Sequence, residues 1–193
     1  MRSHRLTAFP AGRRPITQLA ALTLAAILAA AIALPARVHA AQDTCRGFSW
    51  DVTRERSLFD GSAEAVVAGA DSGAAPALAT ARLYALQLKP TAQVSLVTAP
   101  GRQSPNDVGY AGLATLRIPA AGLYRISVDA PVWIDVVADG GLMGVRDFQG
   151  AHDCAAPRKI LLFEFPVPRQ VVLQISGASS ASVRLGVTAA SAP

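Results

Sequence analysis

The chain has 193 residues, with 18 Lys and Arg against 13 Asp and Glu. Five of those cations, Arg2, Arg5, Arg13, Arg14 and Arg37, precede residue 41, so the remaining 153 residues carry 13 basic against 13 acidic side chains. That neutral balance, with the cations scattered apart from Arg158 and Lys159, argues against a nucleic-acid partner, which needs a clustered basic surface to neutralise phosphates.

The first forty residues have the layout of an export signal. Arginines open it, an apolar run follows from Leu19 to Leu34, and "PARVHA" ends it with Val38 and Ala40 at the small-residue cleavage positions. The run's 16 residues fall short of the roughly 20 that a spanning helix requires. The expectation is a general secretory signal peptide over 1–40, cleavage after Ala40, and a periplasmic or secreted product that meets the membrane only through that signal. Residues 41–193 then form a single domain, a length suited to one core rather than two.

Two cysteines remain after cleavage, Cys45 and Cys154. In an oxidising compartment a bridge between them is the default expectation. Closing so long a loop is worth about 4 to 5 kcal/mol in the chain-entropy model.

In chain order, "FSWDV" alternates with the period of a half-buried strand. Residues 54–79, rich in Ala and Gly with little period, read as a long loop with a helical turn near Ala63 to Val67. From Arg82 onward eight runs have strand composition: "RLYALQLK", "QVSLVT", "LATLRI", "LYRISV", "VWIDVV", "RKILLFEF", "QVVLQIS" and "SVRLGV". Short connections leave no room for crossover helices, so an all-β antiparallel sandwich, jelly-roll-like and of about eight to nine strands, is expected. Asp139 and Gly140 suit a hairpin turn. Tyr124, Ile126 and Val128 form one apolar row of a strand.

Trp133 and Asp135 form the most informative pair. A two-residue turn at Ala130 and Pro131 pairs Trp133 with Val128 and Asp135 with Ile126, and a one-residue slip turns both outward. Exposed, they make a stacking platform and a polar hook for a sugar ring. Buried, the Trp is core and the Asp requires Arg125 or a backbone donor. The core reading is preferred, because large aromatics of sandwich strands usually pack inside.

"GAHDCAAPRK" gathers His152, Asp153, Cys154, Arg158 and Lys159. Of the three histidines only His152 follows the expected cleavage site, so a zinc or two-histidine iron centre cannot be assembled within one mature chain. No cofactor is expected. "ADSGA" and "DVVADGG" match neither a serine-protease nucleophile segment nor an EF-hand. The preferred function is a non-catalytic module for an envelope component or a small ligand such as a saccharide. The alternatives are a small periplasmic enzyme using His152, Asp153, Arg158 and Lys159, with Asp135, as acid, base and anion clamp, or a structural envelope-assembly protein.

The segments "GLATLRIPAAGLYRISVDAPVWIDVV" and "HDCAAPRKILLFEF" resemble a group of small exported proteobacterial proteins, across about residues 82 to 188. Some members carry the label homogentisate 1,2-dioxygenase, which implies an iron centre of two histidines and a glutamate that His152 alone does not supply. The architecture is also similar to pre-peptidase C-terminal domains, a likeness of fold and not of function.

Overall fold

In the computed structural model, residues 47–102 and 109–190 are described. They contain one α-helix, α1 (Thr53–Phe59), and twelve strands. The strands are β1 (Glu64–Val67), β2 (Ala77–Leu78), β3 (Leu83–Gln87), β4 (Lys89–Pro90), β5 (Tyr110–Ile118), β6 (Gly122–Val128), β7 (Trp133–Ala138), β8 (Gly141–Leu142), β9 (Asp147–Gly150), β10 (Lys159–Phe165), β11 (Arg169–Ala178) and β12 (Ser182–Ala190). All described residues belong to one unit, Asp43–Pro193. The expected signal peptide and its cleavage site lie outside the described residues. No helix among the described residues is long and apolar enough to cross a membrane.

The strands form two mostly antiparallel sheets. The first has the order β1-β3-β12-β6-β10-β9 and the second β2-β5-β11-β7-β8, with β4 pairing beside β5. Only the edge pairs β1 with β3 and β2 with β5 are parallel. Alternate residues of both sheets meet in one core, giving a sandwich-like fold. Tyr124, Ile126, Phe163, Phe165 and Leu185 come from the first sheet; Leu116, Ile134, Val136, Leu173 and Ile175 come from the second. Each such side chain contributes about 1.5–3 kcal/mol by leaving water, and Tyr124 adds an edge-on contact to Phe165 at 5.6 Å between centroids.

Seven of the eight expected strand runs are strands, and the row of Tyr124, Ile126 and Val128 lies in the core. Asp139 and Gly140 both have positive φ, 52° and 77°, and join β7 to β8. That is the backbone a two-residue primed turn demands.

Four expectations need correction. "FSWDV" is not a strand, because Ser49 and Trp50 give their amides to the Gln149 side chain, and Thr53 begins α1. Residues 54–79 are not one long loop, since they hold α1, β1 and β2. "QVSLVT" forms no strand. Instead, the backbone of Thr98 pairs with the side chain of Gln174, through Thr98 N–H to Oε1 at 3.0 Å and Nε2 to the Thr98 carbonyl at 3.3 Å. The strand total of eight to nine also misses β1, β2, β4, β8 and β9, which are four residues long or shorter and carry little periodicity.

The expected bridge between Cys45 and Cys154 does not fall wholly within the described residues. Cys45 lies outside the described residues, while Cys154 is buried and no cysteine is free. The loop around Cys154 is held by backbone hydrogen bonds from Ala151 N–H to the Arg158 carbonyl and from Arg158 N–H to the Val128 carbonyl.

Each sheet's outer face carries a segment of chain. Residues 47–60 cross the first sheet, where Glu55, 1% exposed, accepts a hydrogen bond from Thr188 Oγ1 at 2.6 Å and pairs with Arg125 at 3.3 Å. Residues 91–102 cross the second sheet and are fastened by Gln174. This second segment carries residues to the site.

Candidate functional site

β6 and β7 do not form the expected hairpin. The chain changes sheets at Asp129 to Val132, and β7 pairs with β11, placing Asp135 opposite Gln174 and Trp133 opposite Ser176. Along β7, Ile134 and Val136 enter the core, so period-two alternation sends Trp133 and Asp135 to the outer face. The core reading of Trp133 is therefore corrected, and the residue is half-buried.

Asp135 is 8% exposed and is satisfied by two donors. Its Oδ1 accepts the Trp133 indole N–H at 2.9 Å, and its Oδ2 accepts the Gly101 amide at 3.2 Å. Arg125, the partner anticipated from the sequence, sits on the other sheet with Glu55 and the Asp51 carbonyl. Gly101 approaches this carboxylate closely: a Cβ there would stand 3.0 Å from Asp135 Oδ1.

Lys159 begins β10 in the first sheet and reaches across to the start of β7 in the second. Its Nζ donates to the Val132 carbonyl at 3.2 Å and lies 4.9 Å from the centroid of the Trp133 ring. Burial lowers its pKa below the ordinary 10.5, the Arg102 charge lowers it further, and Asp135 opposes both.

Arg158 donates to the His152 carbonyl at 3.1 Å and contacts His152 Nδ1 at 3.3 Å. With the guanidinium as donor, neutral His152 holds its proton on Nε2.

These groups line a single cavity of about 1020 Å³. It lies where β8 and β9 edge the two sheets, and its walls include Arg102, Trp133, Asp135, His152, Arg158 and Lys159. Leu142, Met143, Val145, Phe148, Leu161 and Phe163 supply an apolar surface. Five of the six candidates singled out from the sequence thus come together. Asp153, exposed, is not part of the wall.

Sequence reasoning missed Gly101, Arg102 and the β8–β9 residues. Arg102 is one cation in a turn-rich stretch, and only the path of residues 91–102 over the second sheet brings it to Lys159. No group of three or more His, Cys, Asp or Glu that would hold a metal ion occurs among the described residues. Two-histidine iron chemistry of the dioxygenase kind has no ligand set among them.

No family model matches the chain, and no curated protein is significantly similar to it.

Proposed function

We propose that this chain is an exported ligand-binding module whose sandwich holds a small organic molecule in the cavity beside Trp133. The observation that carries this reading is the convergence of Trp133, Asp135, His152, Arg158 and Lys159 on one cavity of about 1020 Å³. Small-molecule sites are concave, mostly apolar and provided with a few polar groups, and their usual volumes are about 300–1,000 Å³. Asp135 has both oxygens engaged by internal donors, which suits a positioning role better than that of a general base. The finer assignment, a jelly-roll-like sandwich behind a cleaved signal peptide, belongs to the same proposal. The resemblance of residues 82 to 188 to small exported proteobacterial proteins supports it.

Native mass spectrometry of the protein recovered from a periplasmic fraction, followed by a thermal-shift screen of saccharides, peptides and organic acids, tests the reading. The expected result is a chain beginning at Ala41 and a retained or stabilising small molecule whose effect is lost in Trp133→Ala. A protein that retains nothing and is stabilised by no compound class overturns it.

A further inference from the structure

Among the described residues, the charge lining the cavity is unbalanced. Arg102, Arg158 and Lys159 line it together with a single described carboxylate, Asp135. The oxygens of Asp135 are already committed to the Trp133 indole and the Gly101 amide. Arg158 is engaged with His152, whereas Arg102 makes no hydrogen bond or ion pair with another described residue. Arg102 is near enough for its charge to disfavour protonation of Lys159. Two like charges at a partly desolvated wall are mutually destabilising, and an anion between them reverses the sign of that interaction.

Beside the cations the wall is apolar and open. Phe148, Val145 and Leu142 are 62%, 45% and 43% exposed, large values for side chains of this kind gathered on one cavity. The sugar platform anticipated from the sequence is already occupied: the Lys159 ammonium covers one Trp133 face, and the indole N–H is spent on Asp135. The hydrogen-bonding capacity left unclaimed belongs mostly to the cations, which bind an anionic acceptor more strongly than a neutral polyol. A molecule with one anionic end and an apolar body would match both parts of the wall.

We propose that the cavity binds an amphipathic organic anion, its carboxylate or phosphate head between Lys159 and Arg102 and its apolar body along Leu142, Met143, Val145 and Phe148. This rests on the ligand-binding reading above and names the ligand class. Apolar area supplies attraction, and the two cations supply the preference for an anionic head.

Calorimetric titration of the processed full chain with decanoate, decyl phosphate, decanol, decyltrimethylammonium and maltose tests it. One of the two anions is expected to saturate a single site at least about tenfold more tightly than decanol. Whether decanoate or decyl phosphate binds better distinguishes a carboxylate from a phosphate head, and either result supports the proposal. Lys159→Met and Arg102→Met are expected to weaken that anion by about tenfold each, with Lys159→Arg restoring most of the affinity. Arg102→Met lies on an exposed turn and keeps the experiment decisive if Lys159→Met fails to fold. Equal binding of decanol, or tighter binding of the cationic probe, overturns the head-group assignment. Maltose binding without either anion overturns this inference and leaves the ligand-binding reading standing. No binding by any probe, with no molecule retained in native mass spectrometry, overturns both.

Discussion

The ammonium of Lys159 rests 4.9 Å from the centroid of the Trp133 ring, joining the first residue of β10 to the first residue of β7 across the two sheets. Such a contact is worth about 0.5–2 kcal/mol according to its exposure. Here it also sets the position of the one aromatic ring that edges the cavity beside Asp135. Because the chain has only Trp50 and Trp133, a Trp50→Phe variant makes emission report on Trp133 alone. Filling the cavity is expected to shift that emission, and Lys159→Met is expected to shift it without ligand. Unchanged spectra in both experiments would show that ring and ammonium are not in contact.

The protonation of Lys159 has a defined effect on stability. Burial and Arg102 place its folded-state pKa below 10.5, the value of the unfolded chain, against the opposing influence of Asp135. Between those two values the unfolded state binds more protons, so stability rises with pH across that interval. Urea unfolding of the wild type and Lys159→Met, compared at about pH 8 and about pH 10.5, is expected to show the wild type gaining relative to the variant at the higher pH. A constant difference would refute the shifted lysine.

Glu55 anchors α1 to the first sheet through Thr188 and Arg125. Removing its carboxylate leaves Arg125 partly desolvated with less compensation, and Glu55→Ala is expected to cost about 3 kcal/mol in chemical denaturation. Glu55→Gln keeps an acceptor for the Thr188 hydroxyl and is expected to cost about half as much. Equal losses in the two variants would assign the effect to the carboxylate charge, which both lose, instead of to packing.

Gln174 is fully buried, and its amide forms two hydrogen bonds with the backbone of Thr98. Gln174→Leu would leave a backbone donor and acceptor without those partners, at about 2 kcal/mol. Hydrogen exchange of residues 95 to 101 is expected to accelerate, and the Gly101 contact to Asp135 to loosen with it. Unaltered exchange there would mean that Gln174 does not fasten this segment.

Gly112 packs where a Cβ would stand 2.5 Å from the Ala68 Cβ and 3.1 Å from Leu88 Cδ2. Ala68 has no rotamer with which to withdraw, so Gly112→Ala must push β5 away from the residues before β2. A loss of about 1–3 kcal/mol is expected from overpacking. A melting temperature equal to that of the wild type would contradict so close an approach.

Local chemistry was legible in the sequence, and pairing across long stretches of chain was not. Asp139–Gly140 announces its turn because few dipeptides accept two positive φ angles. The row Tyr124, Ile126, Val128 announces a buried face because the alternation is strict. Trp133 reads as core because large aromatics of sandwich strands usually pack inside, and a hairpin between β6 and β7 leaves its face open to either register. The change of sheets at Ala130 depends on β11, forty residues downstream, and no local pattern reports it. "QVSLVT" has strand composition yet lies across a sheet, since a single side chain, Gln174, supplies the partners that a neighbouring strand would have supplied. Five members of the cavity wall were picked out by residue type alone. Arg102 was passed over because its meaning depends on proximity to Lys159.

The helix across the first sheet also bears on the order in which the chain acquires structure. Arg54 donates to the Ala189 carbonyl and Glu55 receives the Thr188 hydroxyl, contacts separated by 135 and 133 residues. The earliest described segment to leave a ribosome thus finds its seat only after β12 has been synthesised. Loop closure over such distances delays folding. During synthesis the amino-terminal segment has no docking surface to occupy, so the finished architecture is a late event in the life of the polypeptide.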